Sequence, residues 1–121
     1  MKILKLTLKK QYFDQILSGE KSEEYRDVKP YFVSRLTLVP VSEFKYWANE
    51  SIADYFTKET DHFRYDYDAV EFTNGYSKNS RKVTKKIKYI SVAKGNEEWG
   101  AEKDKLYFRI HLGEEINRKN C

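Results

Sequence analysis

Between positions 19 and 27 the chain reads Gly-Glu-Lys-Ser-Glu-Glu-Tyr-Arg-Asp, a run whose residue types and spacing invite a chemical reading. Glu24 and Arg26 stand two residues apart, so on a strand both project from one face. A carboxylate beside a guanidinium makes a polar site rather than a stripe of core. Lys21 lies in the turn that Gly19 opens, where a flexible ammonium can swing over that face. Neighbouring cations hold a carboxylate in its charged form, and a desolvated lysine can act as base or nucleophile. The plain alternative for such a trio is a cluster of surface salt bridges.

A second feature is the uneven charge. Residues 77–95 contain seven cations, Lys78, Arg81, Lys82, Lys85, Lys86, Lys88 and Lys94, and no acid. Residues 43–71 hold eight acids against Lys45, Lys58 and Arg64, although the net charge of the chain is only +4. A cationic stripe attracts phosphates, whereas lysines on a sheet edge also guard against aggregation. On an extended segment Lys82, Lys86 and Lys88 share one parity, opposite to Val83, Ile87 and Tyr89, and are expected to face away from the core. Tyr25, Tyr31, Tyr76 and Trp99 offer rings on which bases can stack. Most rings in a small domain are core, but Trp99 lies in a charged loop rather than an alternating strand. His111 alternates outward beside Arg109 and reads as a surface residue.

The elements that must position these groups follow from patterning. Residues 3–8 alternate as a strand, with Leu4, Leu6 and Leu8 on one face. Residues 9–18 carry Tyr12, Phe13, Ile16 and Leu17 at helical spacing before the Gly19 stop. Residues 22–28 are extended, Pro30 makes a break, and residues 31–36 form a short helical turn. Residues 42–58 predict a second helix, with Phe44, Trp47, Ile52, Tyr55 and Phe56 available for its apolar face. Residues 60–67 read as a loop. Residues 68–73 form a strand with Val70 and Phe72 on one face and Ala69, Glu71 and Thr73 on the other, and Asn74-Gly75 makes a turn. The apolar phase of residues 82–93 slips between Val83, Ile87 and Tyr89 and the pair Ile90 and Val92, which predicts a bulge. Residues 106–112 close the chain with Leu106, Phe108, Ile110 and Leu112 facing in.

At 121 residues the chain is one domain, and 16% aromatic residues argue against disorder. No apolar run approaches the ~20 residues of a membrane span, and four lysines among the first ten residues do not suit a signal peptide. One cysteine, Cys121, excludes an internal disulfide, and His62 and His111 lack cysteine partners for zinc. The expectation is a cytoplasmic domain without metal or cofactor, α+β in class, built as a small, mostly antiparallel barrel with helices over its openings.

Gly19-x-Lys21-x-x-Glu24-x-Arg26 resembles the G-x-K-x-x-E-x-R signature of the ASCH domain, the activating signal cointegrator homology family of the PUA-like superfamily. Tyr25 to Tyr31, the run from Val70 to Tyr76 and the closing segment 106–116 are similar to small bacterial and phage-type members. The likeness spans residues 1–36 and 66–116, so residues 37–65 read as a helical insertion. It implies a PUA-like β-barrel with a cleft lined by Lys21, Glu24 and Arg26, and the Asn74-Gly75-Tyr76 turn at its rim. It also implies an RNA or nucleotide ligand, to which the cationic stripe would add phosphate contacts from Lys86 and Lys88 and the aromatics would add Tyr76 and Trp99 beside the base. An alternative is hydrolysis of an acylated cytidine-type nucleoside, or a ribonuclease activity. Amidohydrolase-type members use Lys, Thr and Glu; Lys21 falls on the first position, Glu24 stands where they carry Thr, and Glu71 would have to bring the carboxylate from another strand.

Overall fold

A computed structural model of the protein describes residues 1–64 and 66–121. Alternation of leucine with polar residues makes β1 (Ile3–Leu8), and Leu4, Leu6 and Leu8 are buried. The first helix, α1 (Lys10–Ser18), buries Phe13 and Ile16. Gly19 ends it at φ 86°, a left-handed conformation that favours glycine, and donates its N–H to the Ile16 carbonyl. β2 (Glu23–Asp27) follows at once, then α2 (Pro30–Leu36), whose proline sits in the first turn where no intrahelical N–H is needed. After α3 (Asn49–Lys58) come the three strands β3 (Ala69–Asn74), β4 (Lys82–Lys94) and β5 (Leu106–Lys119).

The fold is α+β, with one five-stranded mixed sheet in the order β1-β3-β4-β5-β2. β1 runs parallel to β3, and the other three pairs are antiparallel. The sheet is not a closed barrel: β1 and β2 are its edges, and no ladder joins them. What spans from one edge to the other is a side chain. Arg26 of β2 donates from Nη2 to the Thr7 carbonyl of β1 at 3.0 Å. A side chain in that place satisfies one carbonyl without requiring the strand register that a ladder demands.

Cross-strand register defines the core face. Leu4 lies opposite Val70, Leu6 opposite Phe72, and Phe72 opposite Val83. On the other half Ile90 faces Ile110 and Val92 faces Phe108. Glu24 is paired with Ile110 and Arg26 with Phe108, so both polar side chains stand on the apolar face of the sheet. The expected slip in β4 is present as register shifts between Thr84 and Tyr89, which rotate Ile90 and Val92 back onto the core face.

The segment after α2 differs from expectation. The predicted helix 42–58 is two pieces, a 3-10 turn Val41–Phe44 and α3, separated by Ala48 in an extended conformation. The break lets Phe44 turn back so that its ring meets Trp47, Tyr55 and Phe56 at 5.1, 5.4 and 5.6 Å, a cluster a straight helix could not assemble. Val39, Phe44, Ile52, Ala53, Phe56 and Phe63 belong to the common core, so residues 37–64 are packed into the domain rather than appended to it. Tyr65, at the end of the expected insertion and within the expected 60–67 loop, lies outside the described residues. The last strand also runs to Lys119, beyond the expected end at Leu112, because its distal half pairs with β4 from Lys82 to Lys85.

Candidate functional site

The Gly19 turn sends Lys21 back under α1, where its N–H donates to the Gln15 carbonyl at 2.9 Å. The side chain is 2% exposed. Its ammonium donates to Glu24 Oε1 at 3.0 Å and to the Trp99 carbonyl at 2.9 Å. The rings of Tyr12 and Tyr25 lie 4.5 and 5.5 Å from the same nitrogen. Glu24 is equally enclosed and accepts from Lys21, from the Tyr25 N–H at 2.9 Å, and from Arg26 Nη2 at 2.7 Å. The three motif residues thus converge through one carboxylate. Glu24 acts as a hub with both oxygens engaged, and a buried charge so paired is far cheaper than an unpaired one. Arg26 Nε is buried with no hydrogen-bond partner, and Phe32 lies against the guanidinium at 5.8 Å.

Residues 95–101 form the cover over Lys21. Gln15 donates to the Glu98 carbonyl at 3.2 Å, and the Asn96 N–H donates to Tyr25 Oη at 2.9 Å. A 3-10 turn, Glu97–Trp99, is capped by Asn96 and ends at Gly100 with φ 101°. A Cβ on Gly100 would stand 2.7 Å from the Tyr12 ring, so the glycine permits the close approach that presses Tyr12 over the ammonium. Trp99 therefore serves this cluster through its backbone carbonyl. Tyr12, which the sequence assigned only to the helix face, is part of the enclosure.

The other expected site residues are dispersed. Asn74 donates to the Leu8 carbonyl at 3.2 Å and accepts from Arg81, so it binds β1 one residue from the carbonyl that Arg26 uses. Tyr76 is 94% exposed beyond it. Glu71 stands opposite Thr84 on the face of β3 away from Val70 and Phe72, with Lys82 at 3.7 Å. The sheet separates it from Lys21, Glu24 and Arg26, which occupy the core face. Lys86 and Lys88 are exposed, with Lys86 paired to Glu114 at 2.7 Å. Lys85 turns inward instead, and its ammonium caps the α1 carbonyl of Ile16 at 2.7 Å. Burial pushes Lys85 below the usual lysine range. His111, expected at the surface, is only 8% exposed because Tyr89 stacks on its ring at 3.9 Å.

A cavity of about 550 Å3 opens where β2 ends, lined by Asp27, Val28, Lys29, Asn49, Ala53 and Lys105 among others. Its size suits a nucleoside-sized ligand. Lys105 Nζ meets Asp27 Oδ1 at 3.0 Å on the wall, and that carboxylate holds the lysine above its ordinary value. Glu50, Glu102 and Asp104 add three further carboxylates, so acids outnumber the two lysines in the lining. Patterning missed this cavity because its walls come from β2, α3 and the start of β5; the charges flanking the two strands were the available sign. A shallower cavity of about 460 Å3 lies along α3 between Trp47 and Glu59. Among the described residues no cluster of histidine, cysteine and acids could hold a metal ion, and no helix is long and apolar enough to cross a membrane.

No family model, curated protein or solved structure matches the chain.

Proposed function

We propose that this domain binds a nucleotide-type ligand, base first, in the cavity at the end of β2, and that it is related to the ASCH domains its motif resembles. The observation that carries the reading is the 550 Å3 cavity beginning at Asp27, the residue after Arg26. Its carboxylates accept hydrogen bonds from the exocyclic amine of cytosine or adenine, whereas a uracil edge presents a carbonyl there. Lys29 and Lys105 supply cations for a phosphate. In this reading Lys21, Glu24 and Arg26 hold β2 in place rather than touch the ligand. The approach of β1 and β2 across Arg26 supports a relation to PUA-like barrels with the closing ladder replaced by a side chain.

The amidohydrolase reading has less support, because the Lys21 ammonium is enclosed by Glu24, the Trp99 carbonyl and two rings. The ribonuclease reading gains no grouped acid and base at the motif beyond those same engaged groups. Calorimetric titration with cytidine, adenosine and uridine monophosphates, and with a short single-stranded RNA, tests the proposal. Cytidine and adenosine nucleotides are expected to bind more tightly than uridine, with Asp27→Asn weakening binding about tenfold or more, one charge-assisted hydrogen bond. Absence of binding by every nucleotide, or binding indifferent to Asp27→Asn, overturns it.

A further inference from the structure

On the opposite face of the sheet from the motif, three strands bring together a serine, a histidine and an acid. Ser91 of β4 lies beside Arg109 of β5, and His111 of β5 lies beside Glu23 of β2. Ser91 Oγ is 3.0 Å from His111 Nε2, and Glu23 Oε2 is 3.2 Å from His111 Nδ1. Arg109 Nε donates to Ser91 Oγ at 3.4 Å, and Tyr25 Oη donates to Glu23 Oε1 at 2.7 Å. The two ends of this chain set its direction. A guanidinium only donates, so the serine hydroxyl keeps its own hydrogen for Nε2. A carboxylate only accepts, so it favours the histidine proton on Nδ1. The imidazole is thereby held with its free lone pair toward the serine, the tautomer a general base requires.

We propose that Ser91, His111 and Glu23 form an acyl-transfer site for short-chain activated esters. Ser91 Oγ attacks the ester carbonyl carbon, its proton passes to His111 Nε2, and the carbonyl π pair moves onto oxygen beside the Arg109 guanidinium. Collapse breaks the bond to the leaving alcohol, which takes the proton from His111. Water, deprotonated by the same Nε2, then attacks the acyl-serine, releasing the carboxylic acid and restoring the hydroxyl. Burial lowers His111 below its ordinary value, with Arg109 and Lys88 acting in the same direction and Glu23 opposing, so the ring is neutral and competent as a base near neutral pH. Tyr89 stacks on the imidazole at 3.9 Å and restrains it, and the next outward residue of β4 beyond Ser91 is the small Ala93. The site shares no residue with the nucleotide cavity.

The test is incubation of the whole protein with p-nitrophenyl acetate, following nitrophenol release and mapping the acetyl group by mass spectrometry. Acetylation of Ser91 is expected, with release slowed at least about a hundredfold in Ser91→Ala and in His111→Gln, the usual contribution of a positioned base. Glu23→Gln is expected to move the inflection of the pH–rate profile to lower pH, because the Glu23 charge raises the affinity of His111 for its proton. A fluorophosphonate adduct on Ser91 of the unaltered protein provides a second measurement that no folding defect in a variant can obscure. Acetyl groups confined to lysines or tyrosines, no fluorophosphonate adduct on Ser91, or release unchanged in a folded Ser91→Ala overturns the proposal. Nucleotide binding is expected to be unchanged in Ser91→Ala, so failure of either reading is visible separately.

Discussion

Glu24 meets Lys21, Arg26 and its neighbour's backbone N–H at once, so its removal strands two cations, one of them fully buried. Glu24→Ala is expected to cost about 3–5 kcal/mol, the usual penalty for an uncompensated buried charge. Lys21→Met should cost less, since Glu24 retains Arg26 and the Tyr25 amide while methionine fills the space beneath Tyr12. Urea denaturation with an unchanged m-value measures both; a larger loss in Lys21→Met would contradict the role of Glu24 as the hub. His111 provides a second residue-level test. Its folded-state pKa lies below the ordinary 6.5 because burial disfavours the charged ring. The unfolded chain therefore binds the proton more readily, so this contribution to stability is complete above 6.5 and is lost as pH falls from there through the folded value. The urea midpoint is expected to drop between about pH 7 and about pH 5, and the drop to shrink in His111→Gln. Equal drops in the two proteins would assign the effect to other groups.

At the scale of elements, two left-handed glycines do different work. Gly19 ends α1 with nothing within 4 Å of its missing Cβ, so Gly19→Ala meets backbone strain alone, about 1–2 kcal/mol. Gly100 has the same strain and in addition the Tyr12 ring at 2.7 Å. Gly100→Ala is expected to cost about 2–4 kcal/mol, from strain plus overpacking, and to lift residues 95–101 from Lys21. Thermal melting ranks the two variants, and hydrogen exchange at the Lys21 and Trp99 amides reports the lifting; a Gly100→Ala protein as stable as Gly19→Ala would show that Tyr12 yields freely. The helix broken at Ala48 belongs to the same scale. Apolar spacing from 42 to 58 suits one continuous helix, but packing Phe44 against both Tyr55 and Phe56 requires the chain to turn. Tertiary contact outweighs local propensity there.

Across the whole molecule, the acid-free run of cations does not survive as an acid-free surface. Arg81 meets Asp14, Lys82 meets Glu71, Lys86 meets Glu114, and Lys94 meets Asp104, each carboxylate arriving from another part of the chain. Lys85 is inside on a backbone carbonyl, and among the described residues only Lys78 and Lys88 of the other six make no ion pair. Two unpaired cations imply a weak salt dependence for single-stranded RNA binding along this run, a slope of log K against log salt of about −1.4. Fluorescence anisotropy at several salt concentrations checks it, and a slope several times steeper would mean that the ion pairs open to admit phosphate.

Sequence patterning alone determined the α+β class, the start of each of the five strands to within a residue, the bulge in β4, and the meeting of Glu24 with Arg26. These follow from parity and from turn residues, which act over a few positions. Which face of the sheet each side chain joined was a different matter. Parity separated Glu71 from Val70, but only the pairing of β2 with β5 shows Glu24 and Arg26 on the core face and Glu71 across the sheet from them. That pairing and the pairing of β4 with β5 bury His111 between Glu23, Ser91 and Tyr89, although alternation correctly turned it away from Leu112. The cavity at Asp27 and the neutralised cations likewise depend on carboxylates 10 to 78 residues distant in the chain. Charge and enclosure are sums over spatial neighbours, and neighbours that far apart in sequence are set by the tertiary structure.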